Sequence, residues 1–253
     1  MTPRAVEAHA GSLTEVLNRS DGLPDLEARF IHAYPKEYEG PKPITDQVKA
    51  IARIFDLDPS HALEFAKDLP ALPDGAEGWF AIPRQKKIAP TYSKAVQEVR
   101  DLIKQTLNSK LYYSAEDRLC PRHLHQHAKT VKAFQKLGRE QKGHDILVVA
   151  AQFGLRHRCR SIRRAREVMN ASEFGLGAFA VGCMLLTHPK RLMNHDDLWI
   201  DCAGDEYSRN ADGVFSHAPF FSFGGWSDGV DFVFGWNDLV LEYCGSASGF
   251  IVE

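Results

Sequence analysis

No apolar run in this chain approaches the roughly 18 to 20 residues that a membrane span requires. The opening, MTPRAVEAHAGSLTEVLNR, also lacks the short greasy stretch of a secretory signal. The two absences point to a cytoplasmic protein with no membrane contact. There is no C-x-x-C pair. The five cysteines, Cys120, Cys159, Cys183, Cys202 and Cys244, are odd in number and widely spaced, which excludes a disulfide framework and fits reduced thiols. No internal repeat or low-complexity tract is present, so a solenoid is excluded. Neither G-x-x-x-x-G-K-[ST] nor H-E-x-x-H occurs, which removes a phosphate loop and a zinc-protease helix. The loop Gly245-Ser-Ala-Ser-Gly249 puts Ala247 where a nucleophile elbow needs its serine.

What is present is an ordinary globular composition: 253 residues, 44% hydrophobic, 10% aromatic and 25% charged, enough to build a sizeable core. Apolar spacing of three and four marks helices over 12–18 and 45–55, punctuated by Pro24, Pro35, Pro41, Pro43, Pro70 and Pro73. Residues 79–82 read as a strand. Ser93 offers an N-cap to a helix bearing Val96, Val99, Ile103 and Leu107, and a second helix opens at Pro121 with Leu124, Ala128, Val131 and Leu137 on one face. Residues 146–153 (ILVVAAQF), between Gly143 and Gly154, read as a buried strand of a mixed or parallel sheet. Residues 174–187 suit a buried helix, 198–202 another strand, and 220–234 a hairpin turning near Asp228-Gly229. The expected fold is therefore α/β, with α+β as the alternative. A helical region (1–75) precedes an α/β domain (76–253) whose C-terminal third is rich in β-structure.

The net charge of −2 conceals three blocks. Residues 1–83 carry a net −6, residues 84–166 a net +14 and residues 167–253 a net −10. The basic block culminates in RHRCRSIRRAR (156–166), six arginines without an acid. If 155–160 is extended, Arg156, Arg158 and Arg160 share a face, with His157 on the other. If a helix begins at Ser161, then Arg160, Arg163 and Arg164 converge and Glu167 ends the row. Crowded guanidinium groups repel one another unless anions intervene, and their planar fork matches phosphate oxygens. His125, Lys129, Lys132, Lys136 and Arg139 add a basic stripe on the preceding helix.

Acids and histidines gather downstream: His188, His195, Asp196, Asp197, Asp201, Asp205 and Glu206. A turn at Gly204 would bring Asp201 towards Asp205 or Glu206, a set of hard oxygen ligands for Mg²⁺ or Mn²⁺. Cys120, His123, His125 and His127 look like half a zinc site, but helical geometry turns His125 away and no second ligand pair follows, which argues against zinc. Gly175-Leu-Gly-Ala-Phe-Ala180 satisfies G-x-G-x-x-A, with Asp197 downstream. The basic segment and MNASE ahead of it stand where a dinucleotide fingerprint needs a hydrophobic strand.

Three readings follow. The first is a protein that binds nucleic acid through its phosphate backbone, using Arg156, His157, Arg158, Arg160, Arg163 and Arg164 together with Lys129 and Lys132. The second is an enzyme acting on a nucleotide or another phosphorylated ligand. There the arginines would orient phosphate, Asp201, Asp205, Glu206 and His188 would move protons, and Asp201 and Asp205 would hold the metal. The third is a structural or oligomeric protein whose acidic C-terminal part neutralises its basic middle.

Overall fold

Residues Ile146–Gln152 form strand β3, and all seven side chains are buried. It is flanked by β1 (Gly78–Pro83) on one edge and β10 (Ser248–Phe250) on the other, and β4 (Glu173–Gly175) completes a sheet of order β1-β3-β10-β4. The computed structural model describes residues 32–106, 119–224 and 229–252. The helix expected over 12–18, Leu107 and Asp228 lie outside them. Every pairing in this sheet is antiparallel, which corrects the mixed or parallel sheet expected around β3. Helices α1 (Ile44–Phe55), α2 (Ser60–Phe65) and α5 (Ala128–Glu140) all pack on β3. Burial of both faces, not strand direction, thus sets its unbroken apolar run.

The second sheet is mixed. Its order is β2-β6-β7-β5-β9, from β2 (Leu124–Gln126), β6 (Asp205–Tyr207), β7 (His217–Phe223), β5 (Trp199–Asp201) and β9 (Cys244–Ser246). The expected hairpin is formed by β7 and β8 (Val230–Trp236), paired along their whole length, and β5 runs parallel to β9. Ala247 joins the two sheets: its N–H donates to the Asp201 carbonyl and its own carbonyl accepts from Leu176 N–H. The strands concentrate in the C-terminal part, and the class is α+β.

Helix α7 (Ala178–Thr187) is the inner helix, apolar around its whole circumference, and only Leu186 escapes full burial. It packs on β1, on α1 and on α4 (Tyr92–Thr106). A side chain at Gly182 would overlap Val99, so glycine there sets the approach of α4. Val48, Ile51 and Ala62 from the region before residue 76 join the same core as β1, β3 and α7. No helix among the described residues is long and apolar enough to cross a membrane.

Two helix starts differ from expectation. Helix α4 begins two residues early, because Thr91 Oγ1, directly after Pro90, accepts from Lys94 N–H at 3.3 Å while Ser93 is buried in the first turn. No helix opens at Pro121. Leu124–Gln126 instead pair with β6, and α5 starts at Ala128, where His127 Nδ1 accepts from Lys129 N–H. Local spacing cannot reveal a strand partner some eighty residues away, and the ladder with Asp205–Tyr207 overrides helical periodicity. His125 thereby leaves the basic stripe, which keeps Lys129, Lys132, Lys136 and Arg139. Short α3 (Gln85–Ile88) and α6 (Ile162–Val168) complete the described helices.

Candidate functional site

The arginine segment is not extended where Leu155–His157 lie; these residues form a 3-10 turn after Gly154, whose φ of 122° only glycine adopts readily. Ser161 then caps α6 as expected, its Oγ accepting from Arg164 N–H at 3.2 Å. The six guanidinium groups have different surroundings. Arg156 pairs with Glu173 Oε2 at 3.4 Å and lies against Gly75. Arg160 Nη1 donates to His157 Nδ1 at 3.1 Å, and Arg164 Nη1 reaches Glu167 at 3.4 Å. Arg166 donates to the carbonyls of Ala203 and Asp205. Arg158 is half-buried in a bridge to Gly245, and Arg163 is exposed, its backbone N–H bonded to Asn237.

Beneath them lies a buried polar network. Gln152 Nε2 donates to Ser248 Oγ (2.8 Å), and Ser248 donates to Glu173 Oε1 (2.6 Å). The same oxygen is met by His157 Nε2 at 2.7 Å. Burial pushes the Glu173 carboxyl up, but the hydrogen bonds from His157 and Ser248 and the charge of Arg156 outweigh it and leave the group below its ordinary value. Ser248 bonds the carboxylate rather than an imidazole and is fully buried, so the trio lacks the nucleophile–base contact of a hydrolase.

Beside this network, α5 and the segment leading into β4 line an open cavity of about 630 Å³. Lys129, Lys132 and Lys136 line it from one face of the helix, opposite Asn170, Ser172 and Glu173. Lys129 Nζ donates to Asn170 O at 2.8 Å, and burial lowers its pKa. Lys136 lies 3.8 Å from Glu140, and Lys132 is exposed with no carboxylate partner among the described residues. Glu173 is the common neighbour: it attracts the Lys129 ammonium and pairs with Arg156. Arg156, and Arg160 through His157, therefore reach the α5 lysines by way of Glu173 at the β4 edge of the four-stranded sheet.

The carboxylates proposed for metal or proton chemistry are otherwise engaged. Asp205 caps α7 by accepting Ala178 N–H (2.7 Å) and also accepts the Tyr92 hydroxyl (2.6 Å). A side chain at Gly177 would overlap both partners, so the G-x-G-x-x-A glycine serves this contact, and the helix start already holds the chain's own carboxylate. Asp201 interacts with the Cys244 thiol, and burial pushes both Asp201 and Asp205 up to about 7. The two lie on either side of Cys202, whose thiol feels both. Glu206 points from the opposite face of β6 and is half-exposed beside His125. His188 is buried against Phe80 and Phe153; its Nε2 accepts from Lys42 N–H, its Nδ1 faces Met184 O, and burial lowers its pKa to about 4. Among the described residues no three His, Cys, Asp or Glu side chains are placed to hold a metal ion.

Glu173, Gln152, Ser248, Tyr92 and Arg191 escape sequence reasoning. Glu173 left a faint trace as a lone acid entering an apolar run. Arg191, fully buried, stacks over Tyr34 at 3.9 Å and donates to the carbonyls of Leu198 and Phe153, and nothing local marks it. Comparison with protein-family models, curated proteins and solved structures returns no match.

Proposed function

We propose that this protein binds a phosphate-rich polyanion, nucleic acid backbone above all, along the sheet edge where the α5 lysines meet the arginine segment. The supporting observation is the cavity lined by Lys129, Lys132 and Lys136, with Arg156 held beside it by Glu173. Arg158, Arg160, Arg163 and Arg164, with His157 beneath them, extend the positive surface, and the contacts of Arg160 with His157 and of Arg164 with Glu167 hold those two guanidinium groups in place for phosphate. Affinity for a single-stranded oligonucleotide, measured by fluorescence anisotropy, should fall with salt at a slope of about 0.7 per neutralised phosphate. Lys132→Glu with Lys136→Glu should abolish it while circular dichroism stays native, since both side chains reach solvent. Unchanged binding by that variant would dismiss the reading.

A second reading, in which the acidic part neutralises the basic middle, draws on the Arg156–Glu173 and Arg164–Glu167 pairs. Absence of salt-dependent binding to any oligonucleotide would favour it.

A further inference from the structure

Helix α5 separates two cavities. Residues 129, 132, 133 and 136 face the basic cavity, while residues 131, 134, 135 and 138, displaced by about half a turn of the helical wheel, face a second one of about 460 Å³. The second cavity lies between α5, α3 and the start of α7. Its floor is apolar, built from Val131, Phe134, Leu147 and Phe179. Arg84, Lys86 and Arg139 supply its charge, with the amides of Gln85, Gln126 and Gln135, and no carboxylate lines it. Of the acids close in sequence to this lining, Asp145 pairs with Lys87 at 2.8 Å and Glu140 lies 3.8 Å from Lys136. Among the described residues, neither Lys86 nor Arg139 has a carboxylate partner, and both are exposed.

Arg84 is held rigidly. Its Nε donates to the His144 carbonyl and its Nη2 to the carbonyls of Gly138 (2.9 Å) and Gln141 (2.5 Å), closing the end of α5. Its Nη1 lies against Gly138, where an added Cβ would stand 2.8 Å away. A fixed guanidinium and two unpaired cations around an apolar floor suit a ligand of opposite charge and matching greasiness. We propose that this cavity is a binding site for a small amphipathic anion: an apolar body of drug-like size against Phe134 and Phe179, and one anionic head between Arg84, Lys86 and Arg139. The inference does not depend on the polyanion reading, because the two cavities use opposite faces of α5.

The test uses 8-anilinonaphthalene-1-sulfonate and decanoate as probes, against uncharged N-phenyl-1-naphthylamine and decanol. The full chain should bind each anion at one saturable site. It should bind the uncharged counterpart at least about tenfold more weakly, and decanoate should raise its melting temperature. Gln135→Trp, which fills the cavity from an exposed position, should abolish binding, and Lys86→Glu with Arg139→Glu should weaken it about tenfold or more. Lys132→Glu, on the other face, should leave it unchanged. No saturable site, equal affinity for charged and uncharged probes, or undiminished binding by the Lys86/Arg139 variant would overturn the proposal. Because the Lys86/Arg139 variant changes only exposed side chains, it decides the matter even if Gln135→Trp fails to fold.

Discussion

Glu173 and Asp205 are both almost completely buried, yet their carboxyl groups depart from ordinary acidity in opposite directions. Burial penalises both charges. Glu173 is met by His157, Ser248 and Arg156, and these partners more than offset the penalty. Asp205 receives the Tyr92 hydroxyl and the Ala178 N–H, but the neighbouring Arg166 spends its donors on backbone carbonyls, and the carboxyl rises to about 7. Asp201, with a thiol as its partner, reaches the same value. The difference lies mainly in His157, whose hydrogen bond and charge favour the Glu173 carboxylate ahead of Ser248 and Arg156, and in the heavier desolvation of Asp205.

The largest effect should come from breaking the satisfied site. Glu173→Gln strips Arg156 and His157 of their acceptor charge and should cost about 2 to 4 kcal/mol, read as a lower denaturation midpoint in urea with unchanged slope. A loss under about 1 kcal/mol would mean the network contributes little.

Asp201→Asn sharpens the other side. The folded-state value near 7 lies above the unfolded 3.8, so the wild type is unpenalised below about pH 4 and loses stability as pH rises towards 7. Asparagine cannot ionise. The variant should therefore gain on the wild type by about 1 to 3 kcal/mol between pH 5 and pH 8, measured by thermal melts at both. Taking the difference cancels the contrary trend of His188, which is held neutral with a folded value near 4 and so costs stability as pH falls from about 6.5 to 4. A pH-independent gap would show that Asp201 is not a penalised charge.

The smallest effect belongs to Arg156→Ala. This side chain is one-third exposed and pairs at 3.4 Å, so its loss should cost under about 1 kcal/mol, well short of Glu173→Gln. Equal losses would place the stabilisation in the Arg156 charge rather than in the Ser248 and His157 contacts.

Much of the fold is legible locally. The ILVVAAQ run, the apolar run that becomes α7, the β7–β8 alternation and the Ser161 cap each carry their own period or cap residue. The failures share a cause. Leu124–Gln126 became a strand because β6 offered an edge, and β3 proved antiparallel because a run buried on both faces says nothing of its neighbours' directions. At the site, the basic residues were visible as types, but their division was not: Lys129, Lys132 and Lys136 line a cavity, whereas Arg166 is spent on carbonyls. Ser248 sits in a segment whose serines look misplaced for catalysis, and only the crossing between sheets at Ala247 sets it beside Glu173.

From the sequence alone come the charge blocks, the buried runs and the crowding of guanidinium groups, because composition and short periods are properties of neighbours along the chain. Which arginine meets Glu173, which carboxylate caps α7 and which face of α5 meets which cavity depend on contacts between residues far apart in the chain, more than a hundred positions in the case of Tyr92 and Asp205. Only packing of the two sheets around α7 fixes those, and burial then decides how much each charge costs.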